Sequence, residues 1–467
     1  MPALANISAI ALDLGSTSIK AGLLDSEGGL VNIITLHAPE INANGGHYES
    51  DALAYVEMAE QVLKDCIALA GDCRTLGLCS QRSSFLVWEK STGLPLTALI
   101  SWQDNRGAAS CVALRIHEKI VRSLTGLALA PYYFAPKLRV VLQDNPGWRA
   151  RLERGELLAG TLDTFLIWKL TGGRYLVTDA SMAARTLLMD IRQQQWSPEL
   201  CALFGVPSHI LPEIKSSAGM NIPLDNGLTL QASIGDQSAA LFASVSEDQH
   251  EALVNLGTGC FVIRYLPCER EASNGYLQTL VYQDSERRAH FAIEGTLNSI
   301  AAALSSFPVN ECGVEDLASN DIYCVAEPSG LGAPYFRGDI GNLYSEPVDH
   351  LSPRRIAALL LEAVIFRVAR ILEEFHRENA IDRVFLSGGL SELTCLQQGI
   401  AACVPFEVHH LRQRESSLKG AALLAAGMEP ATRRDSARMT STRNALELRQ
   451  KYLRWKLWLD GLLSDIP

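Results

Sequence analysis

The sequence has no hydrophobic run long enough to cross a membrane. Spanning a bilayer takes roughly 18 to 20 consecutive apolar residues, and no stretch of the 467-residue chain approaches that length. The segment that begins at Met1 also lacks the charged start and the long apolar stretch of a signal peptide. We therefore expect no membrane partner and a cytoplasmic location.

Cysteine spacing argues against two further classes of protein. The 11 cysteines are an odd number, and they include no C-x-x-C pair and no spacing typical of zinc ligands. A zinc-binding module is therefore not expected, and neither is the disulfide framework of a small secreted domain. Thiols that stay reduced agree with the expected cytoplasmic location.

Positive charge is also scarce. Only 20% of the residues are charged and the formal net charge is -11, whereas proteins that bind nucleic acids present basic surfaces. We therefore expect no nucleic-acid partner. Apolar residues make up 48% of the chain, which is ordinary for a folded protein. Its 467 residues are enough for two or three domains.

Two glycine–hydroxyl turns are the most informative features that are present. Gly15–Thr17 joins the strand-like runs Ile7–Asp13 and Ile19–Asp25, and Gly257–Gly259 lies between two similar runs. Turns of this composition bring backbone N–H groups and hydroxyls close to phosphate oxygens, because no Cβ stands in the way. Their shared layout indicates a weak internal repeat.

A carboxylate accompanies these turns. Asp236, within Gly235–Gln237, lies shortly before the second turn. Phosphoryl transfer needs neutralised phosphate charge, in-line positioning and a group that accepts the proton of the attacking hydroxyl. Two phosphate-binding turns and a carboxylate together predict a phosphotransferase that acts on ATP and a small polyol or sugar.

Periodicity and turn chemistry predict the main elements along the chain. We expect helices over Asp51–Ala70, Gly160–Gly172, Glu294–Leu304, Ser352–Asn379 and Gly420–Gly427, and strands over Thr75–Cys79, Phe85–Trp88, Thr97–Ile100, Ala252–Thr258, Phe261–Tyr265 and Arg383–Leu386. The polar stretch Ser244–His250 predicts a boundary between a domain over residues 1–244 and a second domain over residues 245–430.

Residues 431–467 form a third predicted region. The stretch Pro430–Arg443 is polar, and we expect it to be partly mobile. Beyond it, one helical face carries Leu448, Tyr452, Trp455, Leu459 and Leu462, whereas the basic residues Arg449, Lys451, Arg454 and Lys456 fall largely elsewhere. We expect this amphipathic helix to dock on its own protein or on a neighbouring subunit. Binding to a membrane or to another partner is the alternative.

Several motifs occur in the order typical of one known family. They are Asp13–Lys20, Gln81–Arg82, Trp88–Leu96, Trp102–Arg106, Gly160–Gly172, Gly235–Gln237, Asn255–Phe261, Ser329–Tyr335 and Ser387–Gly389. From Ala11 to Gly427 the chain resembles the FGGY family of carbohydrate kinases, and within it the glycerol kinases. The resemblance implies an α/β fold of two ribonuclease-H-like domains, of the actin and hexokinase ATPase type, that flank a cleft for ATP and substrate.

The resemblance also implies a role for each matching residue. Asp236 would be the general base, and Asp13 would hold hydrated Mg²⁺, which prefers oxygen ligands. On the phosphate and nucleotide side it implies contacts from Ser16, Thr17, Lys20, Gly257, Thr258, Gly259, Ala301, Ser305, Gly388 and Gly389. On the acceptor side it implies contacts from Arg82, Ser83, Trp102, Tyr132, Asp236 and Phe261. A homodimer is expected by analogy with similar kinases.

Some positions depart from the glycerol-kinase pattern. Ser83 follows Arg82 where those enzymes have glutamate, so a charge-assisted hydrogen bond to the acceptor would be lost or made differently. Lys20 replaces an arginine and therefore lacks the bidentate fork. Near the adenine, Ala301 replaces glycine, while Ser305 and Ser306 replace glutamine and tryptophan. The added methyl at Ala301 would crowd the base.

These departures leave several functions open. The leading hypothesis is an ATP- and Mg²⁺-dependent kinase of glycerol or a similar small polyol. Ser83 motivates a second, a pentulose or other sugar kinase. The altered adenine region motivates a third, a catalytically weakened paralogue that binds polyol or nucleotide. A chaperone or actin-like ATPase is the fourth, but it offers no use for Arg82 and Trp102.

Overall fold

The computed structural model describes residues 6–247, 250–266, 275–412, 415–430, 436–440 and 445–464. In these ranges the strands are β1 (Ile7–Leu14), β2 (Ser18–Asp25), β3 (Leu30–His37), β4 (Asn42–Asn44), β5 (His47–Ser50), β6 (Thr75–Ser80), β7 (Phe85–Glu89), β8 (Leu99–Ile100), β9 (Leu157–Thr161), β10 (Val177–Asp179), β11 (Met189–Asp190), β12 (Gln195–Trp196), β13 (Glu213–Lys215), β14 (Ala218–Pro223), β15 (Thr229–Gly235), β16 (Glu251–Leu256), β17 (Cys260–Leu266), β18 (Leu277–Gln283), β19 (Ala289–Leu297), β20 (Cys324–Val325), β21 (Leu343–Tyr344), β22 (Arg383–Ser387), β23 (Glu407–Leu411) and β24 (Ser436–Arg438).

The helices of the described ranges are α1 (Ala52–Leu69), α2 (Ala108–Ala113), α3 (Glu118–Thr125), α4 (Phe134–Asp144), α5 (Arg149–Glu153), α6 (Leu162–Leu170), α7 (Ala180–Ala184), α8 (Pro198–Phe204), α9 (Asp236–Ser244), α10 (Ile300–Leu304), α11 (Pro353–Glu378), α12 (Thr394–Cys403), α13 (Ser416–Ala426) and α14 (Ala445–Ser464). Among them, none combines the length and the apolar run that crossing a bilayer would require.

The chain divides into two compact units, and neither is continuous in sequence. The first consists of Met1–Ala243, Gln278–Phe291 and Glu415–Ala431, and the second of Ser244–Leu277, Ala292–Arg414 and Thr432–Pro467. The division of the chain at residues 244 and 430 stays a prediction from the sequence. Helix α13, which lies late in the sequence, belongs to the first unit.

The first unit is built on a six-stranded sheet with the order β14-β15-β6-β1-β2-β3. Strands β1, β2 and β3 pair antiparallel, whereas β6 runs parallel to both β1 and β15. The carboxyl ends of β1, β6 and β15 therefore lie at one edge of the sheet. This edge places the residues after each of these strands close to one another.

Helices α1 and α13 pack on this sheet through different residues. Because strand side chains alternate between faces, Ile10, Leu12 and Leu14 join the apolar cluster that contains the buried side of α1. Gly77, between the buried Leu76 and Leu78, faces α13 instead. A Cβ on Gly77 would lie 2.1 Å from the carbonyl oxygen of Ala421. Glycine is needed here so that α13 can approach the sheet.

The second unit contains strands β17, β16, β22, β23 and β24 of the seven-stranded sheet with the order β18-β19-β17-β16-β22-β23-β24. Strands β16 and β17 form an antiparallel hairpin, and β22 runs parallel to β16. Its main apolar cluster combines the strand interiors with the buried sides of α11, α12 and α14. Ser352 caps α11 by accepting from the Arg355 N–H, and Pro353 occupies the first turn.

Most predicted elements are present. The hairpin β1–β2, helix α1 with Asp51 as its N-cap, strand β6, the hairpin β16–β17 and helix α11 agree with the sequence-based expectations. The predicted weak repeat is therefore seen as two glycine-turn hairpins, one in each unit.

The helix predicted over Glu294–Leu304 is wrong in its first half. Strand β19 continues to Leu297, and only Ile300–Leu304 is helical. The strand is buried on both faces, and its burial includes the polar residues Glu294 and Thr296, so residue polarity does not mark a solvent-exposed face. Such a run cannot be told from a buried helix by periodicity alone.

A short part of the segment predicted as a polar, partly mobile tail is a strand. Ser436–Arg438 forms β24, which pairs antiparallel with β23. Residues 431–435 and 441–444 of the predicted tail lie outside the described residues. Sheet pairing of a short polar segment leaves no hydrophobic pattern in the sequence, so this strand was not predicted, and the mobility of the tail stays a prediction.

The C-terminal helix docks on its own chain as expected. Leu448, Tyr452, Trp455 and Leu459 of α14 are buried in the cluster that includes α11 and α12. The placement expected for Lys451 is wrong. Its ammonium is 1% exposed and forms a 2.6 Å ion pair with Glu362 of α11, so one basic residue belongs to the buried side.

Candidate functional site

The first phosphate turn follows β1. The Gly15 N–H donates to the Ser18 carbonyl at 3.1 Å, and a Cβ on Gly15 would lie 2.8 Å from that same oxygen. Glycine is therefore required at this position. Ser16 is half-buried and Thr17 is exposed, so the hydroxyl of Thr17 can reach a ligand. The geometry agrees with a turn that contacts phosphate.

Two predicted carboxylates lie at the same edge of the sheet. Asp13 is near the end of β1, and Asp236 is the first residue of α9, directly after β15. Strand β6 lies between them, with Cys79 in register with Asp13 on one side and Ile234 on the other. The order of the strands, rather than any closeness in sequence, brings the two acids together.

Burial changes the acidity of Asp13. Burial and, to a smaller extent, the negative charge of Asp236 raise the pKa of the carboxyl to about 7, although a hydrogen bond with the Cys79 thiol acts in the opposite direction. Atom Oδ1 of Asp13 is buried and has no hydrogen-bond partner among the described residues. A buried carboxylate oxygen without a partner is suited to a cation or to its bound water.

The donor set fits Mg²⁺ better than a metal enclosed by protein ligands. In the described part of the chain, no group of three or more histidine, cysteine, aspartate or glutamate side chains is arranged to hold a metal. Mg²⁺ is usually bound by one or two carboxylates, substrate phosphates and several waters. Asp13 can supply such a carboxylate.

Arg82 lies against the proposed base. Its Nε is 3.5 Å from Oδ1 of Asp236, and its Nη2 donates to the side-chain oxygen of Gln237. Burial raises the pKa of the Asp236 carboxyl, and the positive charge of Arg82 counteracts this effect. A third of the Asp236 side chain nevertheless remains exposed. The carboxylate is thus accessible to a ligand.

Gly235 makes the approach of Arg82 possible. A Cβ at this position would lie 2.9 Å from Cδ of Arg82. Any larger residue at position 235, directly before Asp236, would therefore collide with the Arg82 side chain. Gln237 was part of the quoted motif but was not predicted as a contact, and the structure adds it to the group around Arg82.

Ser83 has a left-handed backbone conformation, and its hydroxyl is hydrogen-bonded to the protein. Its φ is +64°, in the left-handed region, and its Oγ donates to the Arg185 carbonyl at 3.1 Å. The Ser83 carbonyl accepts from Nζ of Lys137 at 3.0 Å. A glutamate at this position would have to extend a longer, charged side chain from the same strained backbone.

Lys137 and Arg185 are functional candidates that sequence reasoning missed. Lys137 is fully buried and also donates to the Ser101 carbonyl at 2.7 Å. Burial lowers its pKa to about 7. The Arg185 guanidinium lies 5.4 Å from the ring centroid of Tyr133. Lys137 could have been identified as the lone lysine within the apolar start of α4. No sequence feature marks Arg185.

Two of the three residues predicted to form the apolar wall of the acceptor site belong to the first unit. Trp102 is half-buried, and Tyr132 is 39% exposed with its ring centroid 4.5 Å from that of Tyr133. The loop of Trp102 is held by Asp104, whose carboxylate accepts from the Tyr48 N–H at 2.8 Å and from Arg106. Phe261, the other predicted wall residue, is half-buried in β17 of the second unit.

Lys20 already has a protein partner. Its Nζ forms a 2.6 Å ion pair with Oε2 of Glu415, just before α13. Both side chains keep about a quarter of their surface exposed. A phosphate oxygen would therefore compete with Glu415 for this ammonium. No sequence pattern indicates Glu415 as this partner, because the two residues are far apart in the chain.

In the second unit the structure groups several predicted nucleotide residues. The Gly257 N–H donates to the Gly259 carbonyl at 2.8 Å, and the Thr258 carbonyl accepts from the Ala301 N–H at 3.1 Å. A Cβ on Gly388, whose φ is +89°, would lie 2.5 Å from the Leu256 carbonyl oxygen. The turn, the start of α10 and the glycine pair that follows β22 are thus in contact.

Gly389 and Ser305 lie at the margins of this group. No atom lies within 4 Å of a Cβ placed on Gly389, which leaves open space beside it. Ser305 is exposed, and its hydroxyl donates to the Ala302 carbonyl at 3.0 Å. Both positions are accessible to a ligand.

A buried ion pair supports the nucleotide side and was not predicted. Glu327 and Arg367 are each 1% exposed and lie 2.8 Å apart. The second carboxylate oxygen of Glu327 accepts from the N–H groups of Asn298 and Gly332, both at 2.9 Å. The pair therefore fixes the segment that leads into α10. Each partner looks like an ordinary surface charge in the sequence.

Comparison with known proteins agrees with this geometry. Residues 8–254 match the N-terminal domain of the FGGY family of carbohydrate kinases, and residues 252–428 match its C-terminal domain. A glycerol kinase of Alkalilimnicola ehrlichii is 32% identical over 480 residues, covering 96% of this chain and 96% of that protein. A glycerol kinase of Xanthobacter autotrophicus is 31% identical over 442 residues, covering 89% of each.

Solved structures share the fold at lower identity. The crystal structure of Plasmodium falciparum glycerol kinase with ADP superposes with a TM-score of 0.84 at 22% identity, covering 98% of this chain and 99% of that one. A xylulose kinase from Rhodospirillum rubrum gives 0.81 at 17% identity, covering 97% and 98%. The two-domain α/β kinase fold expected from the motifs is confirmed. Because both domains match in order over most of its length, the chain belongs to the FGGY family of carbohydrate kinases.

Proposed function

We propose that this kinase transfers the γ-phosphate of ATP to a hydroxyl of glycerol or of a similar small polyol. The observation that carries the proposal is the placement of Asp236 beside Arg82, at the sheet edge that also holds Asp13. A base, a hydroxyl-binding cation and a metal-binding carboxylate are the groups that this reaction needs. The relatives named as glycerol kinases support the same acceptor.

Each side chain has a defined task in this proposal. Asp236 accepts the proton of the attacking hydroxyl, and Arg82 donates hydrogen bonds to the hydroxyl groups of the acceptor. Trp102, Tyr132 and Phe261 form apolar walls around the carbon chain. Ser83, with its hydroxyl directed to a backbone carbonyl, makes a weaker contact than a carboxylate would.

The phosphates are held by backbone and hydroxyl groups. The proposed phosphate contacts are Ser16, Thr17, Lys20, Gly257, Thr258 and Gly259. Ala301, Ser305, Gly388 and Gly389 surround the nucleoside. Asp13 holds Mg²⁺, which when bound neutralises phosphate charge. Lys20 exchanges Glu415 for a phosphate oxygen, because both are anionic partners for one ammonium.

A pentulose or other sugar is the second candidate acceptor. The hydrogen bond from Ser83 to the Arg185 carbonyl favours it, because no carboxylate at this position recognises a hydroxyl of glycerol. Sites that read hydroxyl groups through hydrogen bonds discriminate strongly between acceptors. This difference could change which hydroxyl compound is preferred without changing the reaction.

An ATP-consumption assay against a panel of polyols and ketoses separates the candidates. Turnover with glycerol or another small polyol supports the leading proposal, and turnover with a ketose alone selects the second. Thermal stabilisation by a polyol or by MgATP without turnover selects a weakened, ligand-binding paralogue. Asp236→Asn, which removes the proposed base, should abolish the turnover. Asp225→Asn is its matched control, because Asp225 is about half exposed and pairs with Arg174 at the surface. The control should match the unmodified protein.

The homodimer expected from the resemblance remains a proposal. Light scattering coupled to size-exclusion chromatography measures the mass in solution directly. A mass of twice the 50.9 kDa chain supports a dimer, and a mass equal to one chain rules it out at the concentration used.

A further inference from the structure

Gln81 lies between two parts of the proposed site that the sequence does not connect. One is the phosphate turn at Gly15, and the other is the loop that carries Trp102. We propose that Gln81 is a positioning residue of the kinase reaction, which ties the phosphate turn to the acceptor wall through Tyr55 and Ser84. The inference deepens the proposed function and rests on it.

The connection to the phosphate turn has two hydrogen bonds in series. The side-chain amide of Gln81 donates from Nε2 to the Tyr55 hydroxyl at 3.1 Å, and that hydroxyl donates to the Gly15 carbonyl at 3.2 Å. The Gln81 backbone N–H also donates to the Leu14 carbonyl at 3.0 Å. The turn is therefore held from its carbonyl side, which leaves its exposed side for phosphate.

The connection to the acceptor wall also has two hydrogen bonds. The Ser84 hydroxyl donates to Oε1 of Gln81 at 2.8 Å, and it accepts from the Trp102 backbone N–H at 2.9 Å. The Trp102 ring is a proposed wall of the acceptor site. Its backbone position thus depends on the same amide that orients the phosphate turn.

The direction of every hydrogen bond in this series is fixed. Tyr55 and Ser84 each donate once and accept once, and Gln81 donates with one end of its amide and accepts with the other. With the amide reversed, its oxygen would face the Tyr55 hydroxyl, which could then donate to that oxygen or to Gly15 but not to both. The three side chains are 1%, 3% and 0% exposed in chain order, so water cannot replace a lost partner at low cost.

The position of both ends gives the series a role in catalysis. Phosphoryl transfer depends on the alignment of donor and acceptor, and a displacement of about 1 Å can cost on the order of 10²-fold in rate. Gly15 belongs to the turn whose Ser16 and Thr17 are proposed phosphate contacts, and Trp102 is a proposed wall of the acceptor site. A residue that fixes both of them fixes the geometry between the phosphate and the hydroxyl.

The test asks whether a change at one end alters binding at the other. Ser84→Ala removes the group next to Trp102, and the affinity for a non-hydrolysable MgATP analogue is then measured by calorimetry. The proposal predicts about 2- to 10-fold weaker binding, the value of one hydrogen bond. Tyr55→Phe, at the phosphate end, should raise the KM for the acceptor by a similar factor.

Two variants separate this effect from a general loss of packing. Ser110→Ala removes another buried hydroxyl, one without a hydrogen-bond partner among the described residues, from α2. Tyr452→Phe removes a buried hydroxyl that donates to Glu373 in the second unit. Neither should change analogue affinity or acceptor KM. The double variant Tyr55→Phe/Ser84→Ala should bind the analogue no more weakly than the worse single variant, because both interrupt one series.

The proposed function and the proposed role of Gln81 are tested by different measurements. Wild-type turnover judges the function, whereas analogue binding to Ser84→Ala requires no turnover and judges the series. Unchanged analogue affinity in folded Ser84→Ala, or equal losses in Ser110→Ala, overturns the role of Gln81. If Ser84→Ala does not fold, Gln81→Met is measured in its place against the same two controls.

Discussion

At the residue scale, the proposed chemistry depends on acids whose environment is set by other strands. The motifs identified Asp13, Asp236 and Arg82, and the structure places them at one edge of the first sheet. The sequence could not indicate that Cys79 contacts Asp13 or that Lys137 supports Ser83. Those partners are fixed by strand register and by helix packing, and their residue types carry no motif.

Asp13→Asn should stabilise the protein when Mg²⁺ is removed by a chelator. The pKa of Asp13 is about 7 in the fold against 3.8 ordinarily, so between these pH values the native state binds the proton more tightly than the unfolded state. The free energy of unfolding of the wild type therefore falls as pH rises from about 4 to 7. Asparagine does not titrate, so the variant lacks this contribution to the pH dependence of its unfolding free energy.

The difference in unfolding free energy between Asp13→Asn and the wild type should thus grow with pH, reaching at most about 4 kcal/mol near pH 8. Urea unfolding across this pH range measures it. Asp225→Asn, at an exposed position, should show no such growth. A difference that is constant with pH would contradict the raised pKa of Asp13.

At the element scale, residue patterns predicted the long helices and most strands but misread one strand. Helices α1 and α11 have clear caps and an apolar face, and both were expected. Strand β19 is buried on both faces and was mistaken in part for a helix. The burial of Lys451 in α14 could not be predicted, because its partner Glu362 lies on another helix.

Removing Lys451 should loosen α14 from the second unit. Lys451→Ala leaves the Glu362 carboxylate buried without its cation, which typically costs about 3–5 kcal/mol. The double variant Lys451→Met/Glu362→Leu should be less destabilised, although the Ala318 N–H then loses its acceptor. Arg454→Ala removes a surface ion pair with Asp321 and should cost much less, because solvent screens exposed pairs.

Denaturant unfolding of the four proteins gives these values. A Lys451→Ala variant as stable as Arg454→Ala would show that the pair contributes nothing. A double variant less stable than Lys451→Ala would show that charge burial is not the cause of the loss.

At the scale of the whole molecule, the first unit is assembled from distant parts of the sequence. Helix α13 packs on β1 and β6 although more than three hundred residues separate them. The motifs indicated two domains in the right order, but a linear boundary cannot describe this return of the chain. In the sequence, the close approach of α13 to the sheet is marked only by glycines that no local turn requires.

Gly420→Ala should destabilise the first unit. A Cβ on Gly420 of α13 would lie 2.0 Å from the Ala239 carbonyl oxygen of α9, and backbone atoms cannot move aside cheaply. Overpacking of this kind typically costs about 1–3 kcal/mol. Gly461→Ala is the matched control, because a Cβ on Gly461 in α14 meets no atom within 4 Å.

Gly461→Ala should be neutral or stabilise the protein by up to about 1 kcal/mol, since alanine is the better helix former. Thermal unfolding monitored by circular dichroism compares the two variants. Equal stability of Gly420→Ala and Gly461→Ala would contradict the close packing of α13 on α9.

The central claim is that Asp236 accepts the proton of the attacking hydroxyl, and Asp236→Asn tests it most directly. The account predicts that kcat with the preferred acceptor falls by about 10²- to 10⁴-fold, while the affinity for a non-hydrolysable MgATP analogue stays close to that of the wild type. Retention of the full kcat by a folded Asp236→Asn enzyme would contradict the claim.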